Sequence, residues 1–251
     1  MNLDIKESFE KTRIAGSVAA GALDEVRQII QPGIETEKID KLCYEYINDH
    51  KAYSAPLLYR GFPKSCCTSV NHVVCHGIPS EKILKEGDIV NVDVTAFKDG
   101  WHGDTSRTFE VGEISIKAKK LVDTTYESMM KAIEILKEDV KLGDIGSTIQ
   151  KYVEAQGLSV VQDFCGHGIG ETFHKEPNVL HYGKSGTGQK IKTGMIFTIE
   201  PMINLGSYET KILNDGWTAV TRDKSLSAQF EHTVGILKNG YEIFTQSKNL
   251  S

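Results

Sequence analysis

The stretch 87–111, GDIVNVDVTAFKDGWHGDTSRTFEV, holds two runs rich in β-branched and apolar residues, separated by Lys98-Asp99-Gly100. Asp-Gly between two such runs is the strongest short signal for a tight hairpin, because both residues accept positive φ. With Asp99-Gly100 as the central turn pair, position 95 faces 104 and position 93 faces 106. Asn91, Asp93 and Thr95 then share one face of the first strand, and Asp104, Ser106 and Thr108 share one face of the second. Asp93 and Asp104 become diagonal neighbours on a common face. Two carboxylates so close, flanked by Val90, Val92, Val94 and Phe109, repel each other and are poorly hydrated, so they need a cation.

Working outward, residues 7–31 read as a long helix with Phe9, Ile14, Val18, Leu23, Val26 and Ile30 on its apolar stripe, stopped by Pro32-Gly33. Thr36 is the expected N-cap of a second helix carrying Ile39, Leu42, Cys43, Tyr46 and Ile47. A loop, SAPLLYRGFPKS, leads into the β-rich CCTSVNHVVCHGIP before the hairpin. After it the plan recurs: a helix over 116–138 stopped by Lys141-Leu142-Gly143, then a shorter one with Ile145, Ile149 and Val153. Gly33 precedes Ile39 by six residues, as Gly143 precedes Ile149. His76-Gly77-Ile78 is echoed by His167-Gly168-Ile169, and LKEGDIVNVD (84–93) by IKTGMIFTIE (191–200). An acid follows the glycine by six residues in both strings, Asp93 and Glu200. A further acid stands before a threonine in Asp104-Thr105 and in Glu231-His232-Thr233. The spacing is 11 residues in the first half and 31 in the second, so an insertion containing Asp215-Gly216-Trp217 lies there.

Matches in the same order argue against chance, and so long a period excludes a solenoid. The expected architecture is α+β: two pseudo-symmetric halves, near 7–115 and 116–248, closing over one shared sheet as a single domain spanning 1–251. The net charge of −5 offers no global grip on nucleic acid or an anionic membrane. The start, MNLDIKESFEKTR, has no apolar core of a secretory signal, and no run reaches the roughly 18 apolar residues of a membrane span. Five cysteines without CxxC spacing fit reduced thiols better than a disulfide framework, so a cytoplasmic location is expected.

The histidines concentrate in FCGHGIGETFHKEPNVLHY (164–182), which carries His167, His174 and His181. His167 stands between two glycines, which leaves its ring open to close approach, and Lys175-Glu176-Pro177 reads as an ordered turn. Under the pseudo-symmetry, Glu200 and Glu231 match the acids of the first half, with His167 at the mouth between the pairs. Four carboxylates and one imidazole are too anionic for a single tetrahedral zinc and unlike a magnesium site. They suit two divalent ions about 3.5–4 Å apart, as in two-metal hydrolases.

FCGHGIGETFHKEPNVLHY, VNVDVT, GDTSRTF, FTIEP and AQFEHT together resemble the short bacterial type of methionine aminopeptidase, of the pita-bread (creatinase/aminopeptidase) fold, over nearly the whole chain. The resemblance implies removal of the initiator methionine from nascent proteins with small second residues, by attack of a metal-bridged hydroxide on the first peptide bond. It makes Asp93, Asp104, His167, Glu200 and Glu231 the ligands of two divalent metal ions, with Asp104 and Glu231 bridging. Mn, Fe, Co and Zn all tolerate such a set. It gives Glu200 the proton shuttle, His174 a contact to the carbonyl oxygen and His76 a contact to the next peptide unit. Tyr59, Phe62, Cys67, Phe173 and Trp217 match the pocket for the methionine side chain. The resemblance also implies nascent N-termini as the partner, met at the ribosome, and a monomer is expected.

Pro56 and Lys175 depart from residues common among bacterial relatives, which touches substrate tuning rather than the ligand set. The rivals are an X-Pro aminopeptidase or dipeptidase of the same fold, which would keep the five ligands, and a metal-free amidinohydrolase or non-catalytic peptide-binding relative, which should have lost some. Gly183 to Lys190 lacks a complete phosphate-loop ending and reads as a flexible connection. Cys66, Cys67, His72, Cys75 and His76 fit no zinc-finger spacing and read as buried small residues instead. His232, next to a ligand acid, should point to the opposite strand face.

Overall fold

In the computed structural model, which describes residues 3–247, φ is 50° at Asp99 and 86° at Gly100. Positions 1, 2 and 248–251 of the expected domain lie outside the described residues. Strands Ile89–Lys98 and Trp101–Glu110 pair antiparallel with the expected register, Thr95 opposite Asp104 and Asp93 opposite Ser106.

This hairpin sits within a curved antiparallel sheet that has nine strands among the described residues. On one side the strand Ile89–Lys98 also pairs with Tyr53–Ser54 and Cys67–Val70. On the other, Trp101–Glu110 pairs with Glu231–Leu237, and the sheet continues through Ile196–Ile199 and Gly166–Gly168 to Lys175–Val179. Gly240–Ile243 adds to Glu231–Leu237. The described fold is thus α+β with the curved sheet expected.

Strand alternation gives the sheet one apolar face, and helices cover it. Helices α1 (Leu3–Ile29) and α2 (Thr36–Asp49) bring Val18, Leu23, Val26, Ile39, Cys43 and Ile47 into one core with Val90, Val92 and Val94. Helices α3 (Ile116–Glu134) and α4 (Leu142–Ala155) form a second core from Leu121, Met129, Ile133, Ile145, Ile149 and Val153 with Phe197, Ile199 and Val234. Each of these side chains removes apolar area from water at roughly 25 cal/mol per Å². The odd-numbered positions of the first strand, Asn91, Asp93 and Thr95, are left for the opposite face.

Several local expectations fail for identifiable reasons. Helix α1 runs from 3 to 29 rather than 7 to 31, and Ile14, expected on its buried stripe, is 39% exposed. The buried face keeps the expected Phe9, Val18, Leu23 and Val26 and adds small residues, including Ala15, Gly16, Ala19 and Ala22. The cause lies across the interface: a Cβ at Gly103 would overlap the backbone of Gly16, so helix and hairpin meet at main-chain distance. Thr36 is the first helical residue of α2 and Glu35 the N-cap, without a side-chain capping bond. The Thr36 hydroxyl instead donates to the Ser80 carbonyl at 3.0 Å and accepts the Ser80 N–H at 2.9 Å, a bond across 44 residues.

Helix α3 ends at Glu134 rather than 138. Gly143 does not stop it but lies in the first turn of α4, where a Cβ would collide with Thr187 and the Lys184 carbonyl. The glycines at 33 and 143 therefore share a spacing but not a role, since Gly33 sits outside a helix at φ 94°. The stretch 183–190 is not a loose connection. Asp144 accepts the Lys141 N–H at 2.9 Å, the Gly186 N–H at 2.7 Å and the Ser185 hydroxyl at 2.6 Å, tying the stretch to the start of α4. Lys175-Glu176-Pro177, expected as a turn, opens the edge strand Lys175–Val179, a position where proline is tolerated in a sheet.

Gly103→Ala should therefore lower stability by about 1–3 kcal/mol, the usual cost of overpacking. Gly100→Asn, at a turn with nothing near its missing Cβ, should change it by less than about 1 kcal/mol, since Asn tolerates positive φ. Denaturant unfolding of both variants checks the contrast.

Candidate active site

The sheet register assembles the acids. Asp93 lies opposite Ser106, and Ser106 lies opposite Glu231, so the three form one row across three strands. Asp104, two residues from Ser106, shares their face. Glu200 directly follows Ile199, which pairs with His232, so Glu200 emerges beside Glu231. His167 is the middle residue of the short strand Gly166–Gly168. Its flanking glycines do more than open space around the ring. A Cβ at Gly166 would overlap the Thr198 carbonyl, and one at Gly168 would overlap the Glu176 carbonyl, so they let this strand fit between its neighbours.

One donor atom each from Asp104, His167 and Glu231 lies within 4.8 Å of the others. His167 Nε2 stands 3.7 Å from Asp104 Oδ2 and 3.6 Å from Glu200 Oε1, too far for hydrogen bonds. The opposite ring nitrogen, Nδ1, lies 3.1 Å from the Gly168 carbonyl, which can only accept. Nδ1 therefore carries the proton and the Nε2 lone pair faces the carboxylates, the arrangement of a metal-ligating imidazole. Burial pushes the His167 pKa down to about 4, so no imidazolium is present near neutrality to balance the acids.

The acids show the same deficit of positive charge. Burial pushes Asp93 up to about 7 and Glu200 up to about 8. Asp104 and Glu231 are driven well above the carboxylate range, first by burial and then by neighbouring acids, Asp93 and Glu200 acting on Asp104, and Asp104, Glu200 and Asp93 on Glu231. Glu231 Oε1 is buried with no hydrogen-bond partner. A buried carboxylate oxygen without a partner, beside an imidazole lone pair, fits a divalent cation in charge and in donor type.

Neighbouring side chains orient the donors. The Thr95 hydroxyl donates to Asp104 Oδ1 at 2.7 Å, and the Thr198 hydroxyl to Glu200 Oε1 at 2.6 Å. Gln229 Nε2 lies 3.4 Å from Glu200 Oε2, and the Glu200 N–H donates to His181 Nε2 at 3.1 Å. Sequence reasoning assigned no role to Gln229 or His181. Both are buried behind the acids rather than in the cavity.

All five acid and imidazole donors line one cavity of about 370 Å³. Tyr59, Phe62, Cys67, His76, Phe173, His174 and Trp217 line it too. Phe62 meets Trp217 edge-on at 5.2 Å, and Tyr59 and Phe173 lie 4.9 Å apart. Trp217 thus enters from the insertion that separates Glu200 from Glu231. Arg60, Asp163, Phe164, Cys165 and Met202 also line the cavity and were not anticipated. Only Phe164 and Cys165 had a signal, their place inside the histidine-bearing stretch; the others come from segments without periodicity.

His232 turns away from the cavity, its Nδ1 2.9 Å from the Thr245 hydroxyl, as strand alternation requires. Cys66, Cys67 and Cys75 are buried, and among the described residues the group able to hold a cation is Asp104, His167 and Glu231 rather than the cysteines.

A sequence profile of metallopeptidase family M24 matches residues 10–238. The chain is 54% identical over 248 residues to a methionine aminopeptidase of Rickettsia prowazekii, covering 98% of this chain and 96% of that protein. The crystal structure of methionine aminopeptidase from Rickettsia prowazekii superposes with a TM-score of 0.95 at 55% identity, covering 96% of this chain and 98% of that one. A prolidase from Pyrococcus furiosus superposes at a TM-score of 0.78 with 22% identity, over 97% of this chain and 65% of the prolidase, a likeness of fold alone. A profile match across most of the chain, with a relative this similar over its full length, means that the chain belongs to the methionine aminopeptidases of metallopeptidase family M24.

Proposed function

We propose that this chain is a metallo-aminopeptidase that releases the N-terminal methionine of polypeptides, preferring small second residues. One observation carries the reading: the acid and imidazole donors and an aromatic, thiol-bearing wall open into the same cavity. A single substrate can then place its first peptide bond at the donors and its first side chain against the wall. Phe62, Trp217, Phe173 and Cys67 make that wall apolar and polarisable, which suits a thioether.

Asp93, Asp104, His167, Glu200 and Glu231 would hold two divalent ions. When bound, such ions supply a nucleophilic water near neutral pH and polarise the carbonyl under attack. Glu200 carries the proton from the attacking water to the leaving amine, first base and then acid. Thr198 and Gln229 hold its carboxylate in place for that transfer. His174 donates to the carbonyl oxygen as negative charge develops there. His76, set on a left-handed turn at φ 55°, contacts the next peptide unit. The substrate's free α-amine is anchored at the donor cluster, which restricts cleavage to the first residue.

The ions are drawn from Mn, Fe, Co and Zn. The chain works as one domain built from the two halves, as a monomer in the cytoplasm, on chains emerging from the ribosome. Among the described residues no helix is long and apolar enough to cross a membrane.

The deciding assay compares a Met-Ala-Ser peptide with an X-Pro peptide, using chelator-stripped protein and then Mn(II), Co(II) or Fe(II). Metal-dependent methionine release from the first alone is expected. Cleavage of the X-Pro peptide instead would move the chain to the proline peptidases, and binding without turnover would make it a peptide-binding relative. A second expectation concerns stability and needs no turnover. Saturating Mn(II), at about 100-fold over its dissociation constant, should stabilise the parent protein by about 2.7 kcal/mol. Asp104→Asn should abolish most of that gain, while leaving the chelator-treated protein at least as stable as the parent because one repelling carboxylate is gone. Thermal unfolding with and without metal reads both effects.

A further inference from the structure

The loop 56–62 holds a tyrosine in a strained setting that the methionine-pocket role does not explain. Leu58 and Arg60, on either side of Tyr59, both adopt left-handed φ, 64° and 49°, although neither is glycine. Such a conformation is strained for a residue with a Cβ and persists only where the surroundings enforce it. Three backbone bonds enforce it here: Leu58 N–H to the Phe62 carbonyl at 2.8 Å, Tyr59 N–H to the Pro56 carbonyl at 2.9 Å, and Phe62 N–H to the Tyr59 carbonyl at 3.0 Å.

The result is to aim the Tyr59 hydroxyl at His174, from which it is 115 residues distant in sequence. The phenol oxygen lies 3.0 Å from His174 Nδ1. The two rings stack with centroids 5.2 Å apart and planes 29° apart, and the His174 ring also lies 4.2 Å from that of His167 and 4.1 Å from that of Phe173. The imidazole is therefore held in one orientation by three rings and one hydrogen bond.

A neutral imidazole has one N–H, and its partner decides which nitrogen carries it. A phenol, with a pKa near 10, is a far better donor than a neutral imidazole N–H, and the imidazole lone pair is a better acceptor than a phenol oxygen. The proton of the pair therefore stays on Tyr59, and Nδ1 accepts. Nε2 then carries the imidazole proton at the end of the ring turned away from Tyr59.

We propose that Tyr59 is a positioning residue that locks His174 in its Nε2–H tautomer, so that a neutral histidine can donate to the substrate's carbonyl oxygen. The wrong tautomer would present a lone pair to that oxygen and repel it. Tyr59 thus does more than wall the methionine pocket: its ring lines the cavity while its hydroxyl sets the donor. This inference rests on the assignment of His174 as a contact to the reacting carbonyl.

The test uses Tyr59→Phe, which keeps the ring and removes only the hydroxyl. With the metal-loaded protein and the Met-Ala-Ser peptide, kcat should fall about tenfold, near the upper range for one net hydrogen bond, with KM little changed. In a His174→Ala background the same substitution should cost less than twofold, because the group it positions is gone. Nitrogen-15 NMR of the histidine rings in Zn(II)-loaded protein reads the tautomer without turnover. His174 should be protonated at Nε2 in the parent and shift toward a mixture in Tyr59→Phe. A parent His174 protonated at Nδ1, or an equal loss from Tyr59→Phe with and without His174, would overturn the proposal. Absence of methionine release by the parent protein would instead overturn the peptidase assignment, and the NMR result would still decide the tautomer.

Discussion

Four carboxylates on one buried face of a sheet are the constraint around which this molecule is built. Asp93, Asp104, Glu200 and Glu231 come from four strands or strand ends, and three of them are less than a tenth exposed. Nothing cationic among their described hydrogen-bond partners offsets them, and the nearest imidazole is held neutral by burial. Such a group is tolerable when protons or a bound cation neutralise it. The opposite face of the same strands supplies the compensation for folding: Val90, Val92, Val94, Phe197, Ile199 and Val234 pack against four helices. Strand alternation thus lets one short run of residues contribute to both a stable core and a charged site.

The site lies at the seam between the halves. There the pairing of Trp101–Glu110 with Glu231–Leu237 is short, with register partners only at Glu231–Ser106 and His232–Thr105. Beyond that point a side chain takes over from the ladder. The Thr233 hydroxyl accepts the Asp104 N–H at 3.0 Å and donates to the Asp104 carbonyl at 2.7 Å. Asn91 spans the same seam by donating to the Gln229 carbonyl at 2.8 Å. Side-chain bonds between elements, rather than a continuous backbone ladder, fix the acids relative to one another. Hydrogen bonds from neighbouring side chains orient metal ligands in the same way generally.

The two halves are not equal partners in the cavity. The first half contributes Tyr59, Phe62 and Cys67 from a loop and a short strand. The second contributes Phe173, His174 and Trp217 from segments that have no counterpart in the first. The insertion between Glu200 and Glu231 folds into small strands, Thr210–Ile212 and Ala219–Thr221, and the second of these pairs with Val73–Cys75 of the first half. The pseudo-symmetric frame therefore sets the donors, and the departures from symmetry shape what can lie beside them.

Much of this was legible in the chain. The Asp99-Gly100 turn, the register of Asp93 and Asp104 and the outward turn of His232 follow from period-two alternation and turn chemistry, which are local, and Glu200 and Glu231 from the repeat of the first half's strings in the second. Helix limits, the small-residue stripe of α1 and the role of Gly143 were misread, because each is decided by how closely another segment approaches: Gly103 against Gly16, and Thr187 against Gly143. The same holds for Gln229, His181 and the bond from Tyr59 to His174, whose partners lie far away in sequence. The sequence by itself determined the alternation and the turns, because those depend on neighbours a few positions apart, and the set of acids, because the repeat carries them in both halves. Only the tertiary structure decided which groups face each other and which nitrogen of a histidine is free to donate, because close approach and hydrogen-bond direction belong to pairs of distant segments.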